Sequence, residues 1–401
     1  MKFKEYNFIP LLFAGDINSY SMARSFYEEY QIKSIVYGKY HTGPNCNSRI
    51  LDYRNNINIE KEETFLDIVN GIAKANPDKK ILLIGCADSY VSLASKLKKD
   101  FRKNVVSPYI DYELMQELIL KDSFCQMCEK YGIDYPKTFV YSKDMGENMD
   151  HGFKYPVILK ASDSVQYLEY PFETQKKIYR IKNIEELREV IKDIYNAGYH
   201  QKLIIQDFIP GDDTNMYVLT GYCDKNSKVK LIALGNVLME EHTPHGLGNH
   251  SVIINEVNEE ISNKVVIFLE DINYIGFFNL DIKFDPRDNT YRFFEINTRQ
   301  GRSNFYVTGA GYNLAKYVVD DYIYNKKLEY TLADKKKLWL VIPLVLAFIF
   351  VKSKKYRKEM FSMLICGKVV NPVCFLKDMG FVRFLRFFKT HISHFRKMNL
   401  E

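Results

Sequence analysis

Short apolar runs alternate with stretches of helical periodicity through the first hundred positions. Residues 8–14, 32–37 and 80–85 read as buried strands, and residues 20–30 and 64–75 as helices between them. Strands that alternate with helices predict a parallel, doubly wound sheet. Gly15, Asp16 and Asn18 make a tight turn between the first strand and the first helix. A turn that opens a helix is one way to receive a phosphate. Here the full G-x-G-x-x-G spacing is missing and no acidic residue closes the second strand, so a tight turn is the stronger reading than a dinucleotide site. Arg24 lies on the helix that follows, and its guanidinium suits either a substrate carboxylate or open solvent.

Near residue 110 the pattern changes. Residues 111–131 read as one long helix with Lys121 at its middle, stopped by Gly132 and Pro136. Cys125 and Cys128 fall inside it, away from a helix N-terminus that would lower a thiol pKa and without a second pair to complete a metal site, and read as inert core thiols. Residues 155–160 form a buried strand that ends in Lys160, a charge that needs a partner such as a nucleotide phosphate. Ser162 and Ser164 follow in a polar hairpin that returns through Lys177, either a flap over a phosphate tail or an ordinary surface hairpin. Residues 203–208 form another strand, which carries Gln206, Asp207 and Phe208 into the turn Ile209-Pro210-Gly211-Asp212-Asp213. Such a strand can lay an adenine against its backbone with Asp213 on the ribose hydroxyls, and the same residues also make a good turn in their own right. Residues 217–222 and 231–238 follow as antiparallel strands. Next comes a loop with His242, His245 and His250, whose Pro and Gly neighbours favour a substrate or phosphate loop over a transition metal.

Residues 277–284 and 291–297 read as an antiparallel pair joined by a D-P-R-D-N turn. Alternation places Asp281 and Lys283 on one face of the first strand, and Glu295, Asn297 and Arg299 on one face of the second. Two carboxylates and an amide oxygen are hard ligands that suit Mg²⁺ shared with substrate phosphates. Arg299, two residues beyond Asn297, reaches the same phosphate oxygens as charge builds up on them. The competing reading is a polar-out surface hairpin.

A chain of 401 residues with 46% hydrophobic content buries a sizeable core and predicts two or three domains. Seven scattered cysteines, an odd number, argue against a disulfide framework and for a reducing compartment, so the cytoplasm is the expected location. Residues 352–401 hold 12 Lys and Arg against 3 Asp and Glu, a balance of +9, which leaves 6 − 9 = −3 for the body. The body therefore gives no sign of a polyanion-binding surface, and no nucleic acid is expected as a partner. Residues 338–351 are apolar but too short as a helix for a membrane span, and read as buried or interfacial. In the tail, Phe381, Leu385, Phe388, Ile392 and Phe395 recur at helical spacing with Arg383, Arg386 and Lys397 on another face. Such a helix either lies on an anionic membrane surface, the inner face of the cell membrane, or packs its apolar stripe on the body.

Taken in order, Lys121, Lys160, the Q-D-F-I-P-G-D-D turn and the D-x-K…E-I-N-T-R segment resemble the ATP-grasp ligase family over residues 111–324, and the region before them is similar to that family's usual N-terminal domain. The fold class this implies is α/β: an ATP-grasp fold of two α+β subdomains, preceded by a Rossmann-like domain and followed by a basic helical tail. The domains expected are 1–110, 111–330 (divided into a lysine-bearing part at 111–200 and a metal-binding part at 201–330), and 331–401. The N-T-R-Q-G-R-S-N segment, the H-T-P-H-G loop and the tail are similar to bacterial carboxylate-amine ligases that build peptidoglycan cross-bridges.

By the same resemblance, Lys121 and Lys160 contact nucleotide phosphates, helped by Ser162 and Lys283. Gln206, Asp207, Phe208 and Ile209 contact the adenine, and Asp213 the ribose. Asp281, Glu295 and Asn297 ligate Mg²⁺, with Mn²⁺ as a substitute. Arg299 steadies the transferring phosphoryl group, and Arg302 acts beside it. Arg24, His242, His245, Ser303 and Asn304 are expected at the substrates. Two departures stand out: the flap after Lys160 has no glycine, and the first metal ligand is aspartate where glutamate is usual. The implied reaction is ATP-dependent amide formation through an acyl phosphate, adding an amino acid such as D-aspartate to an amine on a peptidoglycan precursor. Two other readings are ligation of free amino acids or of another envelope polymer, and a non-catalytic nucleotide-binding scaffold at the membrane. The sequence leaves the oligomeric state open.

Overall fold

A run of apolar residues buried on both faces builds the first of three sheets formed among the described residues, which are 3–146, 149–241 and 248–397 of the computed structural model. β1 (Phe8–Phe13) leads through Asp16 into α1 (Ile17–Tyr30). β2 (Ser34–Gly38), β3 (Leu51–Asn55), α2 (Glu62–Ala75), β4 (Lys80–Gly85), α3 (Asp88–Lys96) and β5 (Val105–Val106) follow. The strands are parallel in the order β3-β2-β1-β4-β5, with Leu11 opposite both Ile35 and Leu83. Leu11, Leu12, Leu82, Leu83 and Ile84 are fully buried, which is why these strands are continuous apolar runs rather than alternating ones. The parallel sheet expected from the sequence is present, and β3 is added to it as a half-exposed edge strand with the pattern L-D-Y-R-N.

Asp16 caps α1, its carboxylate accepting from the backbone of Asn18 at 3.1 Å and Ser19 at 3.4 Å. The turn before it leaves no room for side chains. A Cβ on Gly15 or Gly38 would lie 2.7 or 2.3 Å from the Tyr53 hydroxyl, and one on Gly43, at φ +80°, would lie 2.4 Å from the Gly15 carbonyl oxygen. The loop at residues 43–47 therefore sits directly against the β1–α1 turn.

The helix expected over residues 111–131 is two helices, α4 (Tyr112–Ile119) and α5 (Lys121–Lys130), because Leu120 is extended at φ −75° and ψ 122°. Lys121 accordingly opens a helix instead of standing mid-helix. β6 (Thr138–Tyr141), β7 (Val157–Ala161), α6 (Ser164–Glu169), β8 (Tyr179–Ile181), α7 (Ile184–Asn196) and β9 (Leu203–Asp207) follow. Their strands form an antiparallel sheet in the order β6-β9-β7-β8. Leu187, Ile191 and Ile194 recur at helical spacing on α7 and share one core with Val157, Leu159, Leu203 and Ile205. The hairpin expected after Lys160 contains α6, whose first turn is capped by Asp163 accepting from Gln166 N at 3.0 Å, before β8 returns beside β7.

The third sheet is assembled from β10 (Met216–Cys223), β11 (Val229–Glu240) and β12 (His250–Glu256), then, after α8 (Glu259–Asp271), β13 (Gly276–Asp285) and β14 (Thr290–Asn297). After α9 (Phe305–Gly309) and α10 (Leu314–Tyr322) it gains β15 (Thr331–Leu332) and β16 (Leu338–Leu340). α11 (Leu344–Phe350) and α12 (Lys354–Ile365) precede its last strand, β17 (Val369–Val370), and α13 (Phe381–Lys397) ends the described chain. The order is β14-β13-β10-β11-β12-β16-β17, with β15 paired to β11. The chain makes two compact units, one of Met1–Met115, Asp212–Asp281 and Ile296–Glu401, the other of Gln116–Gly211 and Ile282–Glu295.

The apolar segment 338–351 is not one helix, and it is only partly buried, with Val345 and Ile349 exposed. Its first part is β16, Pro343 then starts α11, and Leu338, Leu340, Ile342, Leu346 and Val351 share a core with Val252 and Met360. Among the described residues no helix is long and apolar enough to cross a membrane. α13 meets the body with its basic face. Arg383 donates to the carbonyls of Pro44 and Cys46, and Arg386 to those of Gly43 and Cys46 and to Asn47 Oδ1. Of the two expectations for its apolar stripe, packing on the body is not met: the stripe faces out, with Phe381 76% exposed and Leu385, Phe388, Ile392 and Phe395 each at least half exposed.

Asp378, fully buried, fixes the start of that helix. Its carboxylate accepts from the hydroxyls of Tyr20 and Ser48, both at 2.8 Å, and from Arg49 N, and it lies 3.3 Å from Arg383 Nη2. Asp378→Ala leaves these donors and a buried guanidinium without their acceptor. Loss of one partner of a buried ion pair costs about 3–5 kcal/mol, so urea unfolding of the full chain should show a loss of that size.

Candidate active site

Lys160 sits on the buried strand β7 and Lys121 opens α5, and within the smaller unit their ammonium groups act on each other. Burial pushes Lys160 down to about 8, the positive charge of Lys121 adds to that, and Glu295 on β14 opposes it. Lys121 is lowered by burial as well, with Glu295 again opposing, and it donates to the Ala161 carbonyl at 3.3 Å. The structure thus brings Lys121, Lys160 and Glu295 together. Two like charges side by side disfavour each other, an effect that Glu295 and, at Lys121, Asp163 oppose.

Beside this cluster, Phe208 takes two cations over its ring, Arg180 at 4.4 Å and Lys283 at 5.6 Å. Asp207 accepts from Arg287 at 2.7 Å, Gln206 donates to the Thr138 hydroxyl at 2.9 Å, and Ile209 is buried. The Ser162 hydroxyl lies 3.4 Å from that of Tyr199, while the Ser164 side chain is outside the described residues. Burial raises the thiol pKa of both Cys125 and Cys128, in keeping with inert core cysteines.

In the larger unit a buried amide sets the frame. Asn18 donates to the carbonyls of Cys86 at 2.8 Å and Gln300 at 3.1 Å, and it accepts from Asn304 at 2.8 Å and Gln300 at 3.3 Å. Arg299, next in the chain to Gln300, makes a two-pronged pair with Asp88 at the start of α3, at 2.7 and 2.9 Å, and reaches Asn297 Oδ1 at 3.4 Å. Burial works against the charge of Arg299, but Asp88, then Asp16 and Asp281, outweigh it and raise its pKa. Asp281 has Asn279 Nδ2 at 3.5 Å. Arg302 lies 3.7 Å from Glu241, and its Nη1 is buried with no hydrogen-bond partner among the described residues.

Asp16 is exposed, yet the protein crowded around its carboxyl raises the pKa, against the pull of the Ser19 backbone donor and of Arg302 and Arg299. Burial and Arg302 push His250 down to about 4, so that it is neutral at ordinary pH, with Asp213 opposing. Asp213 also accepts from Glu240 N at 2.9 Å.

The other expected substrate residues are placed as follows. Arg24 is buried between the rings of Phe305 at 4.3 Å and Phe375 at 4.4 Å, with Nε on Glu28 and Nη1 on the carbonyls of Asn371 and Pro372. Ser303 and Asn304 are buried, the latter in the Asn18 knot. His242 and His245 lie outside the described residues. Sequence reasoning missed Asp88, Asn18, Gln300, Glu241, Arg180 and Arg287. The one local signal was at Asp88, an acid at a helix start after an apolar strand, which reads as ordinary capping.

No protein-family model matches the chain. It is similar to the D-aspartate ligase of Enterococcus faecium (strain Aus0004), with 38% identity covering 97% of this chain and 96% of that protein. Among solved structures, the biotin carboxylase domain of the Hydrogenobacter thermophilus 2-oxoglutarate carboxylase, in complex with MgADP and bicarbonate, superposes with a TM-score of 0.62 at 15% identity, over 83% of this chain and 74% of that one. An L-amino acid ligase from Bacillus licheniformis gives 0.56 at 13% identity over 79% and 75%, and an N5-carboxyaminoimidazole synthetase from Staphylococcus aureus gives 0.58 at 15% over 84% and 83%. These likenesses show the ATP-grasp fold expected from the sequence.

Lys160 yields a test of its own. Its folded pKa of about 8 lies below the ordinary 10.5, so between those values the unfolded chain binds more protons than the folded one. Stability should rise with pH through that window and show no Lys160 contribution to the slope below it. Lys160→Met should lose that increment; melting curves of both proteins from pH 7 to 10 check it, and parallel profiles would contradict it.

Proposed function

This chain belongs to the D-aspartate ligase family of ATP-grasp carboxylate-amine ligases, and from that premise we propose that it joins the carboxylate of an amino acid such as D-aspartate to an amine on a peptidoglycan precursor, with ATP as the energy source. The observation that carries the reading furthest is the meeting of Lys121 and Lys160 within the smaller unit, two like charges whose mutual repulsion a nucleotide phosphate would relieve. We assign the Phe208 segment to the adenine, with Ser162 and Lys283 at the phosphates and Asp213 at the ribose.

Asp281, Glu295 and Asn297 would hold Mg²⁺ or Mn²⁺. Their donors are hard oxygens, the type such a cation takes, and Arg299 stands 3.4 Å from Asn297 Oδ1. The bound metal supplies charge neutralisation and orientation of the phosphates. In the first step a substrate carboxylate oxygen bonds to the γ-phosphorus and ADP leaves; in the second the amine nitrogen bonds to the acyl carbon, phosphate leaves and the amine loses a proton. Arg299, preset by Asp88, stabilises the charge on the phosphoryl oxygens during transfer, and Arg302 holds a substrate acid. ADP release with Mg²⁺ and ATP, screened over D- and L-amino acids with and without the precursor, tests the reading. Glu295→Gln should abolish turnover, and loss of the Arg299 guanidinium should cut it by about 10²-fold or more; ADP release that survives the first change counts against it.

We further propose that the outward face of α13 seats the enzyme on the anionic inner surface of the cell membrane. Phe381, Leu385, Phe388, Ile392 and Phe395 supply an exposed apolar stripe, with Lys389 and Arg396 exposed on the same helix. The protein should sediment with phosphatidylglycerol vesicles and lose that property as Phe388→Glu combined with Ile392→Glu. Equal pelleting of both forms removes the idea.

A further inference from the structure

A cavity of about 470 Å³ in the larger unit is lined by Asp16, Glu241 and Arg302 and, from α13, by Thr390, Ser393 and His394. Positions 390, 393 and 394 stand at the spacing that puts residues on one face of a helix. Arg386 lines the cavity too, but its donors go to the 43–47 loop, so it anchors the helix rather than serving a ligand. The volume is within the range of pockets that enclose a medium-sized organic ligand, and larger than a four-carbon amino acid requires.

Two guanidiniums in the lining keep buried donors to spare. Arg302 has a buried Nη1 without a partner among the described residues, and its ion pair with Glu241 is 3.7 Å, beyond hydrogen-bond length. Arg383 also lines the cavity, is 5% exposed, and has Nε without an acceptor among the described residues. Buried guanidinium donors that lack acceptors point to a ligand with an acidic group.

We propose that this cavity is the amine-acceptor site, that it takes an amine carrying its own carboxylate or phosphate on Arg302, and that Thr390, Ser393 and His394 of the C-terminal helix form its specificity-determining wall. The proposal rests on the ligase reading above. It gives α13 two roles on opposite faces, the polar one toward substrate.

Hydroxylamine separates the two readings, because it traps an acyl phosphate as the hydroxamate and is too small to need an acceptor pocket. Thr390→Phe and Ser393→Trp fill the cavity. Each should lower ligation to the peptidoglycan precursor relative to hydroxamate formation by tenfold or more, through a raised KM for the precursor. Should either bulky variant melt early, Ser393→Ala and His394→Ala carry the test with an expected threefold change in the same ratio. An unchanged ratio in the variants that fold overturns the proposal, as does an equal fall of both reactions. Inorganic phosphate and glutarate, added separately to the unaltered enzyme, should distinguish the acidic group: whichever raises the precursor KM names it, and competition by neither overturns the assignment. Absence of hydroxamate from the unaltered enzyme with every amino acid removes the ligase reading, and this proposal with it.

Discussion

The larger unit depends on one amide. Asn18 uses both donors and its acceptor oxygen on groups from three places in the chain, the end of β4 at Cys86, the segment after β14 at Gln300, and Asn304. It is 1% exposed, so no water replaces a lost partner, and each bond is worth the full desolvation of a buried polar group. Gly301 sits inside the same knot, where a Cβ would come within 2.2 Å of Asn279 Oδ1. The knot spaces Arg299 and Arg302 on either side of Gln300 and Gly301. One arginine is directed to Asp88 and the metal-ligand candidate Asn297, the other toward Glu241 and the cavity.

How much of this was legible in the sequence follows from which forces leave a pattern. Burial on both faces leaves continuous apolar runs, and β1, β4 and β9 were read close to their true bounds for that reason. Alternation along β13 and β14 likewise marked the polar candidates Asp281, Lys283, Glu295 and Asn297. The break at Leu120 left no mark, since it involves neither glycine nor proline and the residue is a good helix former. Asn18, Gln300 and Asp88 were missed because a hydrogen-bond knot between distant segments has no spacing. Its members look like any polar turn residues until the fold puts them together.

The two units solve opposite electrostatic problems. In the smaller one, burial lowers the pKa of both Lys121 and Lys160, and the charge of Lys121 lowers that of Lys160 further, against the pull of Glu295. In the larger one, Arg299 is surrounded by Asp88, Asp16 and Asp281, and its charge is reinforced. A lysine destabilised without a ligand gains from an incoming anion. An arginine already held in a fork has its geometry set in advance, which is what stabilisation of a developing charge requires.

The tail shows why helical periodicity alone does not say which face turns inward. Burying the apolar stripe of α13 would be the expected choice, each large side chain contributing about 1.5–3 kcal/mol when fully covered. The observed orientation instead places five guanidinium hydrogen bonds on the 43–47 loop and Asn47, with Asp378 beside Arg383. Bonds to a charged donor are worth about 1.5–3 kcal/mol each, enough to compete when several act together. Their acceptors are the carbonyls of a short loop in which Gly43, at φ +80°, lies against Gly15. With those bonds made, the arginines face in and the phenylalanines face out. That outcome lets a single helix close a polar cavity on one side while leaving an apolar surface to be covered on the other.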